Sequence, residues 1–307
     1  MIENAQEPPV DLKDFVAEHR LPPAYADLAT RWYLPLADEL ARVRETAGRP
    51  LVIGINGSQG SGKSTLAALL KHLFITRHAL RAIDLSIDDF YLPQAQRQQL
   101  ATEEHPLLAT RGVPGTHDIP LMSRTLEALT SQQASVPIPR FDKASDDRVA
   151  QAHWKQETAP VDMVILEGWC LGSPPQNEDE LQAPINLLEA NEDPDVRWRH
   201  YVNRQISEQY QALYDRIDLW IMLKAPSFDC VYQWRLEQER KLAARIAPHA
   251  DGKGIMSPEE LARFIEHYQR LTTHTLRTLP QQVNFLFELD AERNIRAASK
   301  PRDLPLV

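Results

Sequence analysis

The chain has 307 residues, 43% hydrophobic and 25% charged, a balance that excludes a disordered or fibrous protein and suits one large α/β domain with additions. Its net charge of −9, with no Lys/Arg-rich run to offset it, argues against a nucleic-acid partner. Cys170 and Cys230 are too few for a disulfide framework, no apolar run reaches the roughly 18 residues of a membrane span, and the Met-Ile-Glu-Asn start lacks a signal-peptide pattern, so a cytoplasmic protein without a membrane partner is expected.

Residues 11–48 carry Leu28, Trp32, Leu36, Leu40 and Val43 near helical spacing and end at Gly48-Arg49-Pro50. They predict an N-terminal helical extension, residues 1–48, packed on a core domain of residues 49–307. The apolar run Leu51 to Ile55 then reads as a buried parallel strand. It leads into Gly57-Ser58-Gln59-Gly60-Ser61-Gly62-Lys63-Ser64, a complete G-x-x-x-x-G-K-[ST] match. Leu66, Leu69, Leu70, Leu73 and Phe74 follow at helical spacing, so strand, glycine loop and helix come in the order a phosphate-binding loop requires.

The residue types explain the chemistry. Gly57, Gly60 and Gly62 let successive backbone N–H groups turn into a concavity at a helix N-terminus, which favours a triphosphate. Lys63 can reach the β- and γ-phosphates, and the Ser64 hydroxyl can ligate Mg²⁺. Ser58, Gln59, Ser61 and Thr65 complete the candidate nucleotide-binding set, with ATP and Mg²⁺ the cofactors implied.

Further apolar runs at Ala82 to Ile87, Val161 to Leu166, Leu219 to Leu223 and Val283 to Leu289 alternate with helical stretches. This predicts an α/β fold with a doubly wound parallel sheet. The second run ends in Ser86-Ile87-Asp88-Asp89-Phe90-Tyr91, which brings Asp88 to the edge where the phosphate loop lies. Asp88 there is either a base for an attacking hydroxyl or a cap on the following turn. The third run ends in Leu166-Glu167-Gly168, and Glu167 matches a metal-holding carboxylate. Eleven of the 23 prolines fall between Pro93 and Pro194, so that third of the chain is expected to be mostly loops handling substrate. Ser257-Pro258-Glu259-Glu260 reads as a capping box opening a helix that buries Leu261, Phe264, Ile265, Tyr268, Leu271 and Leu276.

The phosphate loop, the Asp-x-Phe-Tyr of Asp88 to Tyr91 and the Glu-Gly after the third strand resemble the phosphoribulokinase, uridine kinase and pantothenate kinase superfamily. Arg111-Gly112-Val113-Pro114-Gly115-Thr116-His117-Asp118, Pro139-Arg140-Phe141-Asp142-Lys143, Leu166 to Gly172, Trp234 to Glu239 and Met256 to Glu260 narrow this further. Over residues 51–294 the chain is similar to D-glycerate 3-kinases of the plant and fungal type and their bacterial relatives. The resemblance implies a P-loop nucleoside triphosphate hydrolase fold, ATP, Mg²⁺ and a small hydroxylated substrate, D-glycerate foremost. It implies Asp88 as base, Glu167 near the metal, and a lid at about 228–250 carrying Arg235, with Arg240, Lys241 and Arg245 as further candidates. Acceptor loops at about 93–160 would contribute Arg111, Arg140, Lys143 and Arg148 for a carboxylate, and His117 and Asp118 for hydroxyls, beside Tyr91. Ser173 to Glu178 departs from the apolar residues expected there and is expected to reshape the acceptor pocket. Two other readings stand: a kinase of pantothenate or a nucleoside, and a nucleotide-binding regulator or ATPase.

Overall fold

Leu51–Gly57 (β1) is buried along its whole length, as a strand covered on both faces must be. The computed structural model describes residues 11–131, 135–246 and 257–304, the side chains of 238–246 and 258 excepted. Within them β1 lies between Met163–Gly168 (β3) and Leu219–Lys224 (β4), both parallel to it. Ala82–Ser86 (β2) pairs parallel with β3, and Phe285–Leu289 (β5) with β4. Ile295–Ser299 (β6) closes the sheet antiparallel to β5, giving the order β6-β5-β4-β1-β3-β2. The sheet is therefore parallel and doubly wound with one antiparallel edge.

The edge strand β6 has no counterpart in the sequence reading, because Ile-Arg-Ala-Ala-Ser lacks apolar alternation and only Ile295 is buried. The two faces of the sheet carry separate apolar clusters. Val52 and Val164 belong to one, while Ile53, Ile55 and Ile165 belong to the other.

Leu34–Ala47 (α1) and Lys63–Thr76 (α2) cover the second of those faces, with Leu36, Leu40, Leu66, Leu69, Leu70, Leu73 and Phe74 buried. The helical stretch before residue 48 is not one helix. It runs as Lys13–Glu18, Tyr25–Leu28, a π-turn at Ala29–Tyr33 and then α1, broken where Pro22 and Pro23 cannot continue a hydrogen-bonded ladder. Tyr33 packs edge-on against Phe287 of β5, with ring centroids 5.5 Å apart.

Ile119–Thr130 (α3) and Pro258–Thr278 (α5) cover the opposite face. The capping box at Ser257 and Glu260 forms in full. Residues 93–160 hold more regular structure than the proline count predicts: a helix at Gln94–Glu103, α3, and two short hairpins. Most of the prolines sit at helix starts and between elements, where a missing N–H costs little, and Pro137 lies in Val136–Ile138, a strand of one short two-stranded hairpin. Phe228–Ile246 (α4) leaves β4 and packs beside α5.

Candidate active site

The phosphate loop runs from the carboxyl end of β1 into the N-terminus of α2, so its backbone N–H groups converge where the helix carries partial positive charge. Gly60 adopts φ +80°, and a Cβ there would lie 2.7 Å from Cβ of Trp234 on α4, so the position demands glycine twice over. The Ser58 and Ser61 hydroxyls are buried without a hydrogen-bond partner among the described residues. Buried polar groups are normally satisfied, and a phosphate chain in the loop would supply the missing acceptors.

Register brings the two strand-end acids to this loop. Glu167 pairs in register with Ile55 on one side and Ser86 on the other. Its Oε1 accepts from the Ser64 hydroxyl at 2.8 Å, and its Oε2 lies 3.8 Å from Lys63 Nζ with no hydrogen-bond partner of its own. An orphaned carboxylate oxygen beside a hydroxyl is a hard-oxygen donor set, which suits a divalent cation such as Mg²⁺. Gly168 follows because a Cβ there would stand 2.6 Å from Ile87 Cγ2, blocking the turn that carries Asp88.

Asp88 sits in the 3₁₀ turn Ile87–Phe90 after β2, with its N–H donating to Ser86 Oγ. Its Oδ1 accepts from the Tyr91 hydroxyl at 2.8 Å and its Oδ2 from Lys143 Nζ at 2.6 Å. Burial pushes this carboxyl up, but the charge and hydrogen bond of Lys143, the charge of Lys63 and the Tyr91 hydrogen bond outweigh it and hold the pKa at about 2. Asp88 thus receives the Ser86 cap and does not supply one, and its carboxylate lies within the field of the phosphate-loop lysine, which Glu167 approaches more closely.

Lys143 stands on the turn of the hairpin Phe141–Asp142 with Asp147–Arg148. That hairpin is fixed at its base, where the Phe141 N–H donates to Asp89 Oδ1 at 3.2 Å and the Gln94 N–H to Asp147 Oδ1 at 2.9 Å. Asp88, Asp89, Arg140, Phe141, Lys143 and Glu167 line one cavity of about 450 Å³. Arg140 reaches its rim, 72% exposed and 3.8 Å from Asp89.

The other sequence candidates stand behind this cavity. Arg111 pairs with Asp146 and lies over the Phe141 ring, bracing the hairpin. His117 stacks on Tyr91 at 4.6 Å and meets the Tyr210 hydroxyl at 2.6 Å. Asp118 caps α3 through the Leu121 N–H and pairs with Arg148, which also donates to the Tyr91 carbonyl. Arg235 is half-buried with its guanidinium 5.8 Å from the Phe264 ring. The side chains of Arg240, Lys241 and Arg245 lie outside the described residues. Ser173 to Glu178 does not line the cavity: Ser173 bonds Thr275 and Gln176 bonds Asn203, on the far side of Trp169.

Three residues escaped the sequence reading. Arg97 is fully buried, donating to the carbonyls of Leu92, Ala109 and Asp146, and so ties the hairpin to the preceding loops. Arg293 donates to the Gly60 carbonyl at 2.8 Å and pairs with Glu237 of α4 at 2.6 Å. Asn56 donates to the carbonyls of Trp169 and Leu171, locking the Glu-Gly turn to β1. Arg97 sits among glutamines and Arg293 in a short turn, so neither carries a periodic or motif signal.

Fold and site together define an α/β phosphate-loop enzyme of the nucleoside triphosphate hydrolase fold. Residues 52–231 match the Phosphoribulokinase / Uridine kinase family, and the chain belongs to that family. The uncharacterized kinase mug58 of Schizosaccharomyces pombe is 36% identical over 251 residues, covering 77% of this chain and 85% of its own length. The chloroplastic D-glycerate 3-kinase of Arabidopsis thaliana is 33% identical over 263 residues, 80% of this chain, which spans about half (54%) of the plant protein. The structure of D-glycerate 3-kinase from Cryptococcus neoformans matches with a TM-score of 0.72 at 25% identity, covering 88% of this chain and 98% of that one. These relationships make the chain an ATP-dependent small-molecule kinase. No helix among the described residues is long and apolar enough to cross a membrane.

Proposed function

We propose that the enzyme transfers the γ-phosphoryl group of ATP to D-glycerate, forming 3-phosphoglycerate. The observation that carries this reading is the pairing, in one cavity of about 450 Å³, of a candidate base with two cations: Asp88 beside Lys143 and Arg140. A three-carbon hydroxy acid has little apolar surface, so its affinity must come from charge-assisted hydrogen bonds to its carboxylate. In a protein of net charge −9, such cations must be gathered locally. Phe141 is the one aromatic side chain among the described residues lining this cavity, which gives a nucleoside base little to stack on. The plant and fungal relatives named as D-glycerate 3-kinases favour the same acceptor.

In this reading Lys63 holds the β- and γ-phosphates, and the loop N–H groups with Ser58 and Ser61 cradle them. Ser64 and Glu167 would hold Mg²⁺, which neutralises phosphate charge when bound. The glycerate hydroxyl oxygen bonds to the γ-phosphorus as the bond to the bridging oxygen breaks, its electrons leaving with ADP. Asp88 receives the hydroxyl proton. Tyr91 orients Asp88, Arg235 stands on the lid helix α4, and Arg111, His117 and Asp118 support the acceptor loops from behind. Cytoplasmic residence belongs to this reading, in keeping with the free thiols Cys170 and Cys230.

ADP release measured by a coupled assay over small hydroxy acids, nucleosides and pantothenate tests the assignment. D-glycerate should give the highest kcat/KM. Robust turnover with pantothenate or uridine and none with glycerate would overturn it.

A further inference from the structure

Asp88 is a base whose partner of closest approach is a cation. Lys143 Nζ sits 2.6 Å from Oδ2 while the Tyr91 hydroxyl takes Oδ1 at 2.8 Å, so both carboxylate oxygens are engaged. The two contacts differ in kind. Tyr91 is buried, stacked on His117 and set edge-on to Phe141. Lys143 is 62% exposed on a hairpin turn that Asp142 holds through Ala144 and Ser145 and that Arg97 and Arg111 hold at Asp146, so its freedom lies in its side chain. One partner is fixed, and the other swings on a flexible four-carbon stem.

We propose that Lys143 is a specificity-determining mask on Asp88, which it covers until a carboxylate on the acceptor draws it away. The proposal rests on the glycerate reading for the identity of that carboxylate and on Asp88 as the proton acceptor. The exchange keeps the largely exposed Lys143 in an ion pair, while Asp88, only 27% exposed, gives up that partner as the substrate hydroxyl arrives to hydrogen-bond it. Its chemical effect is large. With Lys143 in place the carboxyl is held near the bottom of the carboxylate range, a poor acceptor for the proton of water. Once Lys143 pairs with the substrate, that depression is relieved at the moment the substrate hydroxyl arrives.

The mask solves a problem that every phosphate-loop kinase with an open cavity meets. Water fits wherever a small alcohol fits, and hydrolysis follows the same path: water oxygen bonds to the γ-phosphorus, the bridging bond breaks toward ADP, and the water proton goes to the base. Water has no carboxylate with which to displace Lys143. Discrimination therefore comes from the far end of the substrate and not from the attacking hydroxyl.

The test is ADP release without any acceptor, compared among the wild type, Lys143→Met, Lys143→Arg and the double variant Lys143→Met with Asp88→Asn. Lys143→Met should raise this rate roughly tenfold or more, a fraction of the 10²–10⁴ that a general base contributes. Lys143→Arg, which keeps a cation beside Asp88, should raise the rate less than Lys143→Met does, and Asp88→Asn in the Lys143→Met background should return the rate to the wild-type level or below. A Lys143→Met rate equal to or lower than that of the wild type would overturn the proposal, as would an elevated rate that survives Asp88→Asn. Lys143 is exposed, so folding is not at stake, and ATP affinity measured on each variant checks that the donor site is intact. Because no acceptor enters this assay, it remains decisive even if the substrate screen rejects glycerate.

Discussion

Arg293 reaches back to Gly60, its Nε donating to the loop carbonyl at 2.8 Å while its other face covers the Trp234 ring at 5.3 Å. The residue pays a backbone cost for this, with φ at +70° in the left-handed region. Its second nitrogen pairs with Glu237, so the phosphate loop, the turn after β5 and the helix α4 meet at one guanidinium. Arg293→Ala should raise the KM for ATP roughly tenfold, the equivalent of losing about 1.4 kcal/mol of a charge-assisted contact, with a smaller change in kcat. Steady-state kinetics at saturating acceptor reads the split; an unchanged KM for ATP would refute the role.

Asp88 and Glu167 should fail differently when neutralised. Asp88→Asn is expected to lower kcat by roughly 10²-fold or more with nucleotide affinity preserved, as loss of a positioned base requires. Glu167→Gln should instead move the Mg²⁺ concentration needed for half-maximal activity upward, because Oε2 is the orphaned oxygen offered to the metal. Identical behaviour of the two variants in a Mg²⁺ titration would contradict the division of roles.

The acceptor cations separate by position. Arg140 is exposed at the cavity rim, and Arg140→Met should raise the glycerate KM about tenfold while leaving the melting temperature unchanged. Arg111 braces the hairpin through Asp146 and Phe141, so Arg111→Met should lower the melting temperature as well as raise that KM. Glycerol, which lacks the carboxylate, should be a poor acceptor for all three proteins. Thermal denaturation alongside kinetics distinguishes the two arginines, and equal destabilisation would argue against this placement.

His117 sets an acid limb on stability. Burial lowers its pKa to about 4, with the nearby Asp88 charge opposing only in part, against about 6.5 in an unfolded chain. Between those values the unfolded state binds a proton that the folded state refuses, so stability falls as pH drops from about 6.5 to 4, by up to about 3 kcal/mol from this group. His267 and His274 are depressed by burial too and add to the same limb. Urea denaturation across that range should therefore give a shallower acid slope for His117→Asn than for the wild type; an unchanged slope would exclude His117 as a contributor.

The parts of the fold that sequence revealed are those with local causes. β1, the glycine loop and α2 are written in consecutive residues, and Leu66 through Phe74 show a helical period that tertiary contacts merely use. Asp88 and Glu167 were legible because each follows an apolar run, and a parallel sheet aligns the carboxyl ends of its strands. Arg97, Arg293 and Asn56 were not, because each acts on backbone carbonyls far away in the chain, and a carbonyl has no residue type to read. The same reason hid the roles of Arg111 and Asp118: a basic or acidic loop residue looks alike whether it faces a substrate or braces the loop that does. β6 escaped because an edge strand with one buried residue owes its existence to β5 alone.

The separation between the sheet and the hairpin at Phe141–Asp142 and Asp147–Arg148 has a consequence for how such a site can change. Phosphate-handling groups hang on strand ends locked by register, whereas Arg140 and Lys143 hang on a two-rung hairpin fastened by Asp89, Gln94 and Arg97. If the hairpin holds the acceptor as proposed, the donor and acceptor halves are separable: exchanging a handful of hairpin residues should retarget the enzyme to another alcohol while the strand ends beneath keep their geometry.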